Sequence, residues 1–363
     1  ERVIALSRGS AQTFAGMGLW AAIASDAEPI CHVHVSDRGH FGFAHLDAKD
    51  EGVNALGYVV AARVMGAALS ARLDGAANID LLRPGRLLGL QTSRTRVGVE
   101  VSVGGRSRLL TSSLLVAADG GESSVRKRLG VSVRERTYGY DAIISTVSPE
   151  KIPEQTRPGT AFERFTGSGP LALLPLSGGR YGLVWTLAGD EVEGVMALDD
   201  HHFLQCLQER FSNRLGRFEK AGKRASYPLK LLQAREHVRP RVALIGNAAH
   251  AVHPITGQGF NLGLRDVAAL AEVVIDAQRS GVDIGAAAVL ERYAQWRQAD
   301  QRRVVAFTDG MVRIFSQPLP PVAWLRDAGM LALDLCPPAK RWFGRLTMGR
   351  AGRLPRLARG LEL

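Results

Sequence analysis

The sequence predicts an α/β chain that carries an α+β insertion and ends in a helical tail. Three observations lead there. Two short continuous apolar runs, 114–118 and 241–245, have the composition of strands buried in a parallel sheet, and each runs into a turn containing glycine. Between them, from 131 to about 234, short apolar segments alternate with Gly and Pro, as in an antiparallel sheet. Beyond them apolar residues recur at helical spacing, as in Leu264, Val267, Leu270, Ala271 and Val274 over 260–278. With 363 residues and 46% hydrophobic content the chain can bury a large core, and its length suggests two domains.

In chain order, residues 7–23 read as a helix. Residues 31–45, CHVHVSDRGHFGFAH, alternate like two strands about a turn at 37–39. A helix over 61–73 is ended by Asp74 and Gly75, and strands at 87–93, 97–103 and 108–110 form a β-meander that turns at Gly104-Gly105. The insertion supplies strands at 141–146, 160–166, 170–176 and 181–187 and a helix at 201–215. A further helix over 289–307 uses Tyr293, Trp296, Val304 and Val305 as its apolar side, after which Pro318, Pro320 and Pro321 interrupt the chain before helical residues 324–335. This divides the chain into a discontinuous domain (1–30, 55–130 and 236–310), an inserted domain (31–54 and 131–235) and a C-terminal helical tail (311–363).

The net charge is +11. Much of it lies near the end, in Lys340, Arg341, Arg345, Arg350, Arg353, Arg356 and Arg359, interleaved with Trp342, Phe343, Leu346, Met348 and Leu354. Such mixing suits a membrane interface or an acidic partner, or simply a solvated tail. Nucleic-acid binding is not expected, because no aromatics are grouped with Lys and Arg on a sheet face. Cys31, Cys206 and Cys336 are far apart without metal-ligand spacing, which fits a reducing compartment. His32 and His34 share a strand face but lack a third ligand, so no metal is expected. No apolar run is long enough to span a bilayer and no charged-then-apolar leader is visible; a cytoplasmic protein, peripheral to the membrane at most, is the expectation.

Chemistry concentrates in 241–263, RVALIGNAAHAVHPITGQGFNLG. A buried strand ends at Gly246, and a loop containing Gly257, Gln258 and Gly259 feeds a helix. Its first amides are unpaired and carry partial positive charge, a seat for an anion or for a redox ring gaining negative charge. A second turn, DGGESSVR at 119–126, follows the other buried strand: Asp119 can accept hydrogen bonds, Gly120 permits close approach, and Ser123 can cap the helix bearing Arg126.

The string GNAAHxxHPxxGQGFNLG resembles the second FAD-binding motif of the p-hydroxybenzoate-hydroxylase-like flavoprotein monooxygenases, and 119–126 resembles their DGxxSxxR motif. Residues 2–6 resemble the family's RxxAL element. The segments HVSDRGHFGF, AFERFTGSGPLALLPL and GKRASYPL are similar to the 2-polyprenyl-6-methoxyphenol hydroxylases of ubiquinone biosynthesis, with similarity over almost the whole chain. The family has Asp where this chain has Asn247, which keeps a hydrogen-bonding group and removes one negative charge. Its N-terminal GxGxxG unit does not precede Arg2, and a chain truncated there is expected to hold FAD poorly.

The resemblance implies a Rossmann-like FAD-binding domain, here N-terminally truncated, joined to an antiparallel-sheet substrate domain. It implies FAD, reduction by NAD(P)H, capture of O2 as a flavin hydroperoxide, and hydroxylation of a polyprenylated phenol in ubiquinone biosynthesis, in possible company with other proteins of that pathway. The cofactor-binding residues it implies are Arg2, Asp119, Gly120, Gly246, Asn247, Pro254, Gly257, Gln258, Gly259, Phe260 and Asn261. No catalytic side chain is assigned, since the chemistry belongs to the flavin. His250 and His253, though close in sequence, are given no proton-transfer role. The alternatives are a hydroxylase of a small soluble phenol and a flavoprotein-derived assembly subunit without turnover.

Overall fold

The structure, a computed structural model, describes residues 2–252, 257–315 and 320–363. The two continuous apolar runs are neighbours: strands Leu115–Ala117 and Val242–Leu244 pair in parallel, Val242 opposite Leu115 and Leu244 opposite Ala117. Strand Val242–Leu244, covered on both sides, can be apolar at every position, whereas Val116 on its partner is 40% exposed. Val242, Ala243 and Leu244 are all buried. On one side Ala243 joins Ala269, Leu270, Val273 and Tyr293 in a core cluster formed with helices Gln258–Arg279 and Ala287–Phe315. On the other, Val242 and Leu244 pack with Val97 and Val99 of the meander Gly85–Thr92, Val97–Val103 and Arg106–Ser112.

The insertion is built on a large sheet. Its strands run in the order His250–Ala251, Ala225–Ala234, Val133–Pro149, Arg180–Ala188, Gly169–Leu176, Thr160–Thr166, His32–Asp37 and Phe43–Asp47, with Phe218–Ala221 also paired to Val133–Pro149. Strand His32–Asp37 pairs in parallel with Thr160–Thr166, so residues 32–47 extend the inserted sheet. The outer face of the sheet packs Trp185, Leu171 and Phe162 against Phe203, Leu207 and Phe211 of helix Asp200–Phe211. A smaller antiparallel sheet, Val3–Ser7, Gly57–Ala61 and Glu28–Ile30, lies by the inner face, where Ile30, Val59 and Ala161 share a cluster.

Several sequence expectations need correction. The helix expected over 7–23 is two pieces, Arg8–Gly16 and Ala21–Ala24, because Gly18 takes a left-handed φ of 71° between them. The helix expected to reach 215 stops at Phe211, where Ser212 turns to φ 75°. Val267, placed on the apolar side of its helix, is 38% exposed, whereas Leu264 and Leu270 are buried. Pro320 and Pro321 begin helix Pro320–Leu335 rather than only interrupting the chain, since the first helical turn has no use for their missing N–H; Pro318 lies outside the described residues. The basic end is not a free tail. Met348, Leu357 and Ala358 are buried, Arg353 sits over the Trp296 ring at 4.1 Å, and Arg356 Nη2 pairs with Asp276.

Candidate functional site

The helix Gln258–Arg279 starts abruptly at Gly257, whose φ of 62° suits a residue without a side chain. A Cβ there would also stand 3.1 Å from Ala5 Cβ. The close approach to strand Val3–Ser7 is fixed by Asn261. Its Oδ1 accepts from Ser7 N at 2.8 Å and Ser10 Oγ at 2.7 Å, and its Nδ2 donates to Ala5 O at 2.9 Å and Gly257 O at 2.7 Å. The Asn261 amide is therefore committed to the protein, and its contribution to a site is to hold two walls together. Helix geometry leaves the Gly259 and Phe260 N–H groups without intrahelical acceptors, at the positive end of 22 residues of aligned peptide dipoles.

These amides open on a cavity of about 560 Å³. Arg2, Ala5, Asn247 and residues 257–261 form one side of it. The inner face of the large sheet forms the other, with Val35, Ala161, Glu163, Ala172 and Leu174, and Met311, Phe343 and Thr347 complete the lining. Seven of the eleven residues expected to hold the cofactor thus meet at one cavity: Arg2, Asn247, Gly257, Gln258, Gly259, Phe260 and Asn261. Pro254 and His253 lie outside the described residues.

Asp119, Gly120 and Gly246 do not line the cavity. Asp119 instead caps the short helix after it, accepting from Ser123 Oγ at 2.5 Å, Ser124 Oγ at 3.2 Å and Val125 N at 3.1 Å. Burial opposes its charge, but these donors hold its carboxyl below the usual range. Ser123 Oγ also accepts from Arg126 N at 3.0 Å, as the motif predicts. The buried Arg126 guanidinium then donates to Ala248 O at 2.8 Å and Gly121 O at 2.6 Å, tying the Asp119 turn to the Asn247 loop. Gly120 at φ 83° and Gly246 at φ 54° have nothing within 4 Å of a would-be Cβ, so there is open space on that side of each.

The Asn247 loop is held from beneath by a buried ionic network. Asp266 Oδ2 accepts from Gly246 N at 3.0 Å and contacts His250 Nε2 at 2.6 Å; its Oδ1 accepts from Arg297 Nε at 2.7 Å and Gln301 Nε2 at 3.2 Å. Arg297 Nη1 continues to Asp300 at 2.6 Å, which also receives Arg265. Burial works against the Asp266 charge, yet His250 and Arg297 beside it push its carboxyl far below the usual range. His250 is 1% exposed, faces Asp266 and does not line the cavity, which leaves it a structural role. His34 packs on His45 and Phe162, and burial first, then Arg214, pushes its ring down to about 3.

Sequence reading missed Asp266, Arg297 and Glu163. Each left a signal. Asp266 is an acid inside the apolar run LRDVAALAEVV, and Glu163 occupies the inward register of a strand between Ala161 and Phe165.

Residues 2–308 match the FAD binding domain family. The chain belongs to that family. It is 40% identical to the ubiquinone hydroxylase UbiL of Rhodospirillum rubrum, over 96% of this chain and 80% of the relative. It is 30% identical to the 3-demethoxyubiquinol 3-hydroxylase of Escherichia coli, over 96% of this chain and 87% of the relative. Among solved structures the fold is shared with the p-nitrophenol 4-monooxygenase PnpA of Pseudomonas putida, at a TM-score of 0.79 and 18% identity over 97% of this chain and 89% of that one. HpxO of Klebsiella pneumoniae, solved with FAD, gives 0.73 and 18% over 97% and 91%. The protein is thus an FAD-dependent monooxygenase.

Proposed function

We propose that the protein hydroxylates the ring of a polyprenylated phenol in ubiquinone biosynthesis, with the flavin ring against residues 257–260 and the phenol in the cavity beside it. The observation that carries this reading is one apolar cavity that has the helix-start amides at one side and a sheet of small and branched side chains at the other. The residues present fit FAD. The Gly259 and Phe260 amides face the cavity without intrahelical partners, Asn247 offers a neutral amide on the same wall, and the open space beside Gly246 and Gly120 leaves room for an extended ligand.

When bound, FAD supplies the activation of O2 and the transfer of one oxygen atom to the ring. The chain's own part is positional and electrostatic. The Gly259 and Phe260 N–H groups and the helix dipole favour negative charge at the helix start. Val35, Ala161, Ala172, Leu174 and Met311 exclude water from the reacting ring, and Asn261 fixes the helix start against strand Val3–Ser7.

The relatives' names support the prenylated substrate, and so does the lining, since a prenyl chain needs apolar walls. The test is FAD-loaded protein with NAD(P)H and 18O2, comparing 2-farnesylphenol with 4-hydroxybenzoate. Faster NAD(P)H oxidation and labelled product with the farnesyl compound support the reading. Stimulation by the small phenol alone would replace it with the soluble-phenol alternative.

The substrate's insolubility in water places its source at a membrane surface, and the C-terminal helices suit contact there. No helix among the described residues is long and apolar enough to cross a membrane. Helix Pro320–Leu335 exposes Trp324 and Leu325, each 74%, and Leu335, three turns on, at 71%. Helix Pro337–Thr347 adds Trp342 beside Arg341 and Arg345. Because Met348, Leu357 and Ala358 of the segment after 347 are buried, the test is substitution of Trp324 and Trp342 by Ser rather than deletion. Flotation with anionic vesicles should fall for the double variant, and unchanged flotation removes this role.

A further inference from the structure

The inner wall of the cavity contains one group that neither cofactor binding nor packing accounts for. Glu163 lies on strand Thr160–Thr166 between Ala161 and Phe165, opposite Ala172 on one neighbouring strand and Val35 on the other. All five of these side chains belong to the cavity lining or its wall, except that Phe165 also stacks on Phe315 at 3.5 Å. Glu163 is the only carboxylate lining the cavity among the described residues. Its carboxyl has no hydrogen-bond or ion-pair partner among them, whereas buried acids elsewhere in the chain, Asp37, Asp266, Asp300 and Asp327, are each paired. An unpaired acid in an apolar chamber destabilises the folded chain, so a ligand that pairs with it is the natural reason for its presence.

The groups that could pair with it from surrounding elements are engaged or distant. Asp37, two residues beyond Val35 on its strand, is tied to Arg326. Arg164 and His34 alternate to the outer face of the sheet, and Asp309 and Arg313 of the helix carrying Met311 pair with each other. Arg2 and Lys230 line the same cavity, as does Tyr227, but none acts on the Glu163 charge. Burial alone pushes its carboxyl up to about 7.

We propose that Glu163 is a catalytic residue of the oxygen transfer: its carboxylate accepts the hydrogen bond of the substrate's phenol OH and takes that proton as the ring is hydroxylated. This rests on the aromatic-hydroxylase reading above. The phenol O–H bond breaks, its proton passes to a Glu163 oxygen, and the electron pair left on the phenol oxygen raises electron density at the ortho and para carbons, one of which receives the oxygen atom. That carbon loses its hydrogen as a proton when the ring regains aromaticity, the phenol oxygen recovers its proton from Glu163, and the second oxygen atom of O2 leaves as water, which takes up the released proton. The carboxylate is unchanged over a turnover, and the two electrons and the oxygen come from NAD(P)H and O2. A base raised to about 7 is suited to such a transfer, because near neutral pH a large share of it is ionised and it still holds a proton well enough to accept one.

The proposal is tested by binding as well as by rate. FAD-loaded protein without reductant is titrated with 2-farnesylphenol and with its O-methyl ether, which has the same shape but no proton to give. In the wild type the phenol should bind about tenfold tighter as pH rises through about 7, because the carboxylate is the better acceptor, while the ether's affinity stays flat. In Glu163→Gln both should be flat. In turnover the acidic limb of kcat/KM near pH 7 should vanish in Glu163→Gln, with the plateau lowered about 10²-fold. Equal pH dependence for phenol and ether in the wild type overturns the proposal without any variant, so it stands or falls even if Glu163→Gln does not fold. Wild-type protein that shows no phenol-stimulated NAD(P)H oxidation defeats the hydroxylase reading instead. Wild-type turnover with a pH profile shared by Glu163→Gln defeats only the role of Glu163.

Discussion

Replacing Asp266 with Ala removes the centre of the network beneath the Asn247 loop. Four contacts disappear together: Gly246 N, His250 Nε2, Arg297 Nε and Gln301 Nε2. Arg297 is fully buried and retains only Asp300 as an anionic partner. Removing one member of a buried ion pair costs about 3–5 kcal/mol, because the other charge remains without compensation in a low-dielectric interior. Asp300 softens this, so about 3 kcal/mol is expected for Asp266→Ala, read as a shift of the urea midpoint at unchanged m-value near pH 7. The pH dependence follows from the direction of the shift. The folded Asp266 carboxyl lies below its ordinary value of 3.8, so its stabilisation is complete above that pH and is lost as pH falls toward the folded value. The gap between wild type and variant should therefore be flat from pH 5 to 7 and narrow below about 4. A loss under about 1 kcal/mol, or a gap that does not narrow in acid, would refute this account of the network. Because Gly246 N loses its acceptor, FAD affinity should also fall by more than the stability loss alone explains.

Two further outcomes are expected. Asn261→Ala deletes four hydrogen bonds, two to strand Val3–Ser7, one to Ser10 and one to Gly257, and at about 1 kcal/mol each, less some recovery by Ser10 bonding Ser7, it should destabilise by about 3 kcal/mol in the same assay and weaken FAD binding measured by flavin fluorescence. Glu163→Gln should do the opposite. A carboxyl raised to about 7 from 4.5 penalises the fold as pH climbs through that window, so the variant should match wild type near pH 4 and exceed it by about 2–3 kcal/mol at pH 8, with denaturation at the two pH values as the check.

The local grammar of the chain was legible because it is written in adjacent residues. Continuous apolar runs marked the two strands of the parallel pair, of which Val242–Leu244 is buried throughout while Val116 on its partner is 40% exposed. The run Gly257-Gln258-Gly259 marked the helix start, since φ 62° at Gly257 excludes most side chains. The DGGESSVR turn carried its own cap, Ser123 on Arg126 N, because capping partners lie within one turn. Seven residues from Arg2 to Asn261 that motif resemblance grouped do meet at one cavity.

What tertiary structure alone decided concerns partners far apart in sequence. Asn261 sits in a motif that suggests ligand contact, yet its amide is consumed by Ala5, Ser7 and Ser10, some 250 positions away. His250 and Asp119 likewise look available in the sequence and are engaged in the fold, by Asp266 and by the Ser123 helix. Glu163 shows the reverse: its inward register is legible between Ala161 and Phe165, but only the packing of Val35, Ala161 and Ala172 around it leaves a carboxyl alone in an apolar chamber. Propensity and periodicity act over a few residues, whereas whether a polar group is satisfied depends on which distant segment arrives beside it.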